Sequence, residues 1–463
     1  MRTIARSILL AVLVFSATAL AQKQIPPEGG TPKDFKLPQK QQFTLPNGLE
    51  VTMVPYGSVP KVTVTVVVRS GNINEKENEV WLADIVGDLM KEGTKSRSAQ
   101  QVATEAAGMG GDVNINVGPD MTTISGDVLS EFGPKLVGLL ADVVRNPLFP
   151  ESELARLKKD RIRQLSVQKA QPQSLALEEF RRMMYPNHPY GRVFPTQEML
   201  EKFTLIEVQH FYQANFGAQR TSVYVAGSFD AKAIEAAVRQ AFSSWEKGPA
   251  IYTNVPKPVA KKLFGLVERP GAPQSTIYVG IPVLNPFDKD YVKMAVTNSL
   301  LGGSFASRIT SNIREKKGYT YSPYSQVSSR YRDAYWVEVA DVGKEVTGAA
   351  LKEILGEVKR LASEPPPADE LKGIQNYMAG TFVLQNSTRQ GIIGQLVNLK
   401  LHGLPDEYLT NYVRNVHAVT PEDVKQITAR YLRAEDMILT IVGDKKKVEE
   451  QIKDYAMPKP ESK

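Results

Sequence analysis

Apolar positions recur by two in some stretches of the chain and by three and four in others, and the switches of period outline its elements. Glu50 to Val54 follows the turn signal Asn47-Gly48 and reads as a strand. Val62, Val64 and Val66 alternate and run on into Val67-Val68, as a central strand would. Leu82, Ile85, Val86 and Leu89 then take helical spacing, so Trp81 to Thr94 predicts a helix with one buried face, stopped at Gly93. Asp84 and Asp88, four apart, project together from another face, where stacked carboxylates repel mildly. Gly87 between them costs about 1 kcal/mol relative to Ala. Ser98 is placed to N-cap a second helix reaching Ala107. Further on, Asp112 to Val117, Met121 to Val128 and Thr221 to Gly227 read as strands. Phe132 to Arg145, Glu151 to Gln168 and Ala231 to Trp245 read as helices.

The second half repeats this plan. Thr204, Val208, Phe211, Phe216 and Gly227 match Thr420, Val424, Ile427, Leu432 and Gly443 at a constant offset of 216, and Pro150 to Leu154 is echoed near Pro366 to Leu371. A period this long signals two homologous domains rather than a solenoid. The expected organisation is a domain over 42–246, a Pro-rich linker over 247–262 and a domain over 263–456, followed by a tail over 457–463. Each domain is expected to be an α+β sandwich, a mostly antiparallel sheet with helices packed on one side, and the pair to form a clamshell around a cleft.

Composition narrows the setting. A length of 463 residues with 42% hydrophobic and 23% charged residues fits a globular chain with more than one core. Arg2 and Arg6, the apolar run Ile8 to Phe15 and Ala19-Leu20-Ala21 predict a signal peptide over 1–21. The mature chain is therefore expected to be exported, periplasmic or extracellular, without stable membrane insertion. Residues 22–41, with Pro26-Pro27 and Gly29-Gly30, read as a flexible lead-in, and structure is expected from Phe43. The absence of cysteine excludes disulfides and thiol chemistry. The net charge of +7, lowered by two once Arg2 and Arg6 are removed, is scattered and lacks the basic stripe that nucleic-acid binding needs.

A set of motifs in order along the chain carries more specific information. These are Leu45-Pro46-Asn47-Gly48-Leu49, Gly93-Thr94 after the first long helix, Gly111-Asp112-Val113-Asn114 and His188-Pro189-Tyr190-Gly191. Pro273-Gln274-Ser275, Leu301-Gly302-Gly303-Ser304-Phe305 and the run from Arg314 to Tyr321 continue the series. Together they resemble the pitrilysin/insulinase family of zinc peptidases, specifically its two-domain chains similar to mitochondrial processing peptidase subunits. In active members the first long helix carries H-x-x-E-H, two zinc ligands and a general base, and a distant Glu completes the site.

Aligned through Gly93-Thr94, the resemblance puts Asp84, Gly87 and Asp88 at the His, Glu and His positions and Gln164 at the distant Glu. All four are changed, so the chain is expected to bind no zinc and to be inactive alone. His188, His210, His402 and His417 offer no pair at ligand spacing and hence no rebuilt site. The resemblance also implies that Arg314 and Tyr321 hold the substrate backbone and stabilise the oxyanion across the cleft, and that Asn114 lies beside bound peptide. The function implied is that of a non-catalytic subunit. A hetero-oligomeric partner with H-x-x-E-H would bind zinc, and this chain would supply Arg314 and Tyr321 in trans. The alternatives are a peptidase-like scaffold or peptide-binding protein, and a zinc peptidase with altered ligands.

Overall fold

The computed structural model describes residues 35–453 and 455. The signal segment 1–21, the lead-in up to residue 34 and the tail 457–463 lie outside them. In chain order the first half contains β1 (Gln41–Thr44), β2 (Glu50–Pro55), β3 (Lys61–Val68), α1 (Leu82–Lys91), α2 (Ala99–Gly108), β4 (Val113–Val117) and β5 (Thr122–Leu129). It continues through α3 (Gly133–Arg145), α4 (Glu151–Ala170), α5 (Pro172–Met184), α6 (Gln197–Lys202), α7 (Leu205–Asn215), β6 (Thr221–Gly227) and α8 (Ala231–Phe242). The second half begins with β7 (Leu263–Glu268), β8 (Gln274–Pro282) and α9 (Tyr291–Asn298), which runs into a π-helical turn at Ser299–Gly303 and is followed by another at Thr310–Lys316. Then come β9 (Tyr324–Arg330), β10 (Asp333–Gly343), α10 (Thr347–Ser363), α11 (Ala368–Gln385) and α12 (Arg389–His402). The last elements are α13 (Glu407–Thr410), α14 (Tyr412–His417), α15 (Pro421–Tyr431), β11 (Ile438–Gly443) and α16 (Lys445–Gln451).

The strands form two sheets with one plan. The first is ordered β1-β2-β6-β3-β5-β4 and the second β7-β11-β8-β10-β9. Each has a single parallel pair, β2 with β6 and β7 with β11, in an otherwise antiparallel ladder. The repeat visible in the sequence has local causes in both halves. Thr204 and Thr420 each close a capping box, with Glu207 and Asp423 as the reciprocal partners, and the strands that follow end at Gly227 and Gly443. Both halves are α+β, as expected.

One face of each sheet carries the helices of its own half. Val62, Val64, Val66 and Val68 of β3 pack under α1, α3, α7 and α8, while Ile277, Val279 and Ile281 of β8 pack under α9, α10 and α15. The expectation of helices on one side only is corrected at the opposite faces. There Val54, Val67, Tyr224 and Ala226 of the first sheet meet Ile392, Ile393 and Leu396 of α12. Reciprocally, Tyr278, Tyr335, Val337 and Val339 of the second sheet meet Ala176, Phe180 and Met184 of α5. Apolar residues on both faces of a central strand need a cover on both sides, and each half lends the other a helix to supply it.

The lead-in is also corrected. Phe35 packs edge to face on Phe382 at 5.3 Å, Lys40 pairs with Asp406 at 2.6 Å, and β1 begins at Gln41 rather than Phe43. Burying Phe35 and Leu37 under α11 and α12 outweighs the extended preference of this stretch. The segment 247–262 is held along its length. Arg220 donates to the carbonyls of Pro249 and Ala250, and Val259 N–H donates to Met184 O.

Candidate functional site

The carboxylate pair of α1 is an ion-pair cluster. Arg161, projecting from α4, donates Nε–H to Asp88 at 2.7 Å and Nη1–H to Asp84 at 3.2 Å. Its Nη2 reaches the carbonyl of Asp84 at 3.3 Å, and Nη1 also donates to the amide oxygen of Gln164 at 3.0 Å. Side-chain exposures are 15% for Arg161, 19% for Asp84 and 16% for Asp88, so the ion pairs are largely buried, with exposed Gln164 at their rim. Trp81 covers the guanidinium at 5.9 Å from its ring centroid.

Behind Asp84 lies a second acid that the pattern of the sequence did not single out. Asn72 donates to Asp84 at 2.8 Å and to Glu75 at 3.1 Å, and Glu75 also accepts from Ala83 N–H at 3.0 Å. Glu75 is buried, and desolvation, with the neighbouring Asp84 charge adding to it, pushes its carboxyl up to about 8. Burial likewise raises Asp84, opposed by Arg161 and the Asn72 hydrogen bond.

This donor set does not fit zinc. The carboxylate oxygens of Asp84 and Asp88 are engaged by Arg161, Asn72 and Lys91, and the Gln164 oxygen accepts from the same guanidinium. Gly87 offers no ligand or base, and its space is taken: a Cβ there would lie 2.6 Å from Cγ2 of Val117 on β4. Among the described residues no group of three or more His, Cys, Asp or Glu side chains is placed to hold a metal. The altered-ligand peptidase therefore has no chemical support here, and a hard cation would have to displace Arg161.

Arg314 and Tyr321 present the opposite picture. Arg314 leaves the π-helical turn Thr310–Lys316, and its guanidinium lies 4.4 Å from the Phe305 ring centroid and 5.2 Å from that of Tyr321. Among the described residues its only carboxylate contact is with adjacent Glu315, at 3.4 Å. Tyr321 is 80% exposed and Phe305 71%. Cation and phenol are thus grouped, the phenol well exposed and the Arg314 side chain 24% exposed. No hydrogen bond, ion pair or ring contact joins them to Asp84, Asp88, Arg161 or Gln164 among the described residues. Asn114 is exposed on β4, an edge strand of the first sheet. Ile115 and Val117 turn toward Gly87, so the alternation of a strand points Asn114 to the other face. Its backbone, not its side chain, shares the α1 neighbourhood.

Of the four histidines, His188 accepts from Tyr190 N–H through Nδ1 at 3.2 Å and orders the Pro189–Gly191 turn. His402 is buried, and desolvation lowers it to about 4, which keeps it neutral.

Two family models match the chain. That for Insulinase (Peptidase family M16) covers residues 53–195, and that for the Peptidase M16 inactive domain covers 202–378. An uncharacterized zinc protease of Bacillus subtilis is 25% identical over 410 residues, 87% of this chain and 98% of that protein. A Helicobacter pylori protein named a non-peptidase homolog is 21% identical over 390 residues, 82% of this chain and 88% of its own. The crystal structure of a peptidase M16 inactive domain from Pseudomonas fluorescens superposes with a TM-score of 0.80 at 25% identity, covering 88% of this chain and 98% of that one. A protease from Helicobacter pylori superposes at 0.83 with 19% identity, covering 88% and 100%. The chain belongs to the M16, pitrilysin/insulinase family of zinc peptidases, with a degenerate zinc motif. It has a peptidase-like fold, and the family model named for the inactive domain matches its residues 202–378.

Proposed function

We propose that this chain is the non-catalytic subunit of an exported zinc peptidase. A partner of the same family with H-x-x-E-H binds the zinc, and this chain contributes Arg314 and Tyr321 to the shared peptide site. The observation that carries the reading is an asymmetry: Asp84 and Asp88 are tied up by Arg161, while among the described residues Arg314 meets no carboxylate but its neighbour Glu315 and lies beside exposed Tyr321. A planar guanidinium and a phenol are suited to hold a substrate carbonyl and the oxyanion that develops on it. Export is supported by the N-terminal sequence pattern.

The test compares peptide hydrolysis by a zinc-bearing family member encoded by the same organism, by this chain, and by their mixture. The mixture alone should be fully active, and Tyr321→Phe or Arg314→Ala in this chain should lower kcat by about two orders of magnitude. A partner fully active by itself, or an Arg314→Ala mixture as fast as the parent, overturns the proposal. A second reading, a scaffold or peptide-binding protein without a role in cleavage, is favoured by the tied-up α1 carboxylates taken alone and by the name of the Helicobacter relative. It predicts peptide binding with no change in any partner's hydrolysis.

A further inference from the structure

Two guanidiniums enter the protein at one end of the first sheet with no carboxylate to meet them. Arg69 follows β3 and Arg220 precedes β6, and the backbone N–H of Arg69 donates to Arg220 O at 2.9 Å, which sets the two residues side by side. Arg220 is buried, and its side chain donates only to neutral oxygens, those of Pro249, Ala250 and Asn215. Arg69 lies over the Tyr331 ring at 5.0 Å, and its Nε is buried without a hydrogen-bond partner among the described residues. Neither guanidinium makes an ion pair among those residues.

The acids of this region are engaged elsewhere. Asp120 accepts from the Tyr190 hydroxyl and from Tyr331 N–H, and Glu50 pairs with Lys400 at 2.6 Å. Burial lowers the pKa of both arginines; at Arg69 the Asp120 charge opposes this, while at Arg220 the Arg69 charge adds to it. Both side chains line a cavity of about 40 Å³ between the sheet and α12, together with Ser222, Glu50 and Lys400. Ser222 shares a sheet face with Tyr224, the face that α12 covers. A cavity needs about 10–15 Å³ to admit one water, so this one has room for a few waters or one small oxyanion. With the Lys400–Glu50 pair cancelling, its lining is left with two positive charges.

We infer that this cavity binds a free oxyanion of the phosphate type between Arg69 and Arg220. Positive charge withdrawn from water without a counter-charge is the costly arrangement, and guanidinium forks match phosphate oxygens. The anion would meet the unpartnered Nε of Arg69, the guanidinium of Arg220 and the hydroxyl of Ser222. Because Arg220 also holds the 249–250 carbonyls and α12 belongs to the second half, the site ties the first sheet to both. It is separate from Arg314 and Tyr321 and does not depend on their proposed role.

Calorimetric titration of the purified full chain with inorganic phosphate tests the inference, with sodium chloride at equal ionic strength as the control. Phosphate should saturate a single site and raise Tm, and chloride should do neither. Phosphate should also bind more tightly than O-phosphoserine, whose ester arm the cavity has no room for. Arg69→Met should weaken binding about tenfold while circular dichroism shows a folded chain. Ser222→Asp places a carboxylate beside the two guanidiniums, so it should raise Tm in phosphate-free buffer and abolish phosphate binding; this variant decides the matter should Arg69→Met fail to fold. No saturable binding at millimolar phosphate, or an equal effect of chloride, overturns the proposal, since waters alone would then solvate the arginines. Tighter binding of O-phosphoserine overturns the assignment to a free anion. Unchanged phosphate binding by a folded Arg69→Met or Ser222→Asp chain overturns the site.

Discussion

Arg161 gives Asp84 and Asp88 a shared counter-charge, so the edge of α1 is held by an ion-pair cluster whose members depend on one another. Removing one partner of a largely buried pair strands the others, which is the expensive direction. Arg161→Ala should therefore cost about 3 kcal/mol of unfolding free energy in urea titrations. The same change in an Asp84→Asn/Asp88→Asn background should cost little, and equal costs in both backgrounds would show that the cluster does not matter. Glu75 adds a pH dependence of predictable sign. Its folded value of about 8 lies above the ordinary 4.5, so the folded state holds a proton that the unfolded state releases. Stability is fully present below the unfolded value and falls as pH rises from there toward the folded value. Glu75→Gln keeps the neutral hydrogen bonds to Asn72 and Ala83 and removes the titration. The Tm advantage of this variant should grow between acidic and mildly alkaline pH, and a pH-independent difference would exclude Glu75 as its source. The set Asp84, Gly87, Asp88 and Gln164 is legible from spacing against the family motif. Arg161 and Glu75 are not: one sits among the charged residues of α4, and the other is made unusual only by tertiary burial.

At the scale of elements, α1 and β4 meet through Gly87 and Val117, and the two tendencies acting on Gly87 oppose each other. Ala in place of a helical Gly gains about 1 kcal/mol from propensity. Here the added Cβ would fall 2.6 Å from a Val117 methyl carbon, and β-branched Val has little rotamer freedom to withdraw. Overpacking of this kind costs about 1–3 kcal/mol, so Gly87→Ala should be net destabilising. Gly87→Ala/Val117→Ala should be more stable than the sum of the two single variants, as a double-mutant cycle on thermal unfolding would show. Additive values would mean that α1 and β4 yield without strain. The same contact explains why the sequence reading succeeds in some places and misses others. Capping boxes at Thr204 and Thr420 are local, and local signals survive in the sequence. The apolar positions Ala176, Phe180 and Met184 of α5, spaced by four, face a sheet from the far half of the chain. The docking of Phe35 on Phe382 is likewise set by distant residues that no local pattern reveals.

Across the whole molecule, the exchange of α5 and α12 makes the two sheets mutually dependent, although the sequence reads as two separable domains. Removing the second half would uncover Val54, Val67, Tyr224 and Ala226 on the first sheet and leave Phe180 and Met184 of α5 without a partner. Polar ties span the same exchange. Asp127 of β5 accepts from Lys61 at 2.6 Å and from Arg389 of α12 at 2.9 Å, and Tyr56 donates to Asn386 O at 2.6 Å. Strand faces covered by a borrowed helix are an aggregation hazard once exposed. Fragments 35–255 and 256–455 should therefore be insoluble or unfolded when produced separately and should assemble when produced together. Calorimetry of the full chain should show one cooperative transition. Arg389→Ala, which loosens only the polar tie at α12, should lower that single Tm rather than split it. Two resolved transitions, or a soluble first fragment with native-like near-ultraviolet circular dichroism, would show that the halves fold independently and that the exchanged helices are a late docking step.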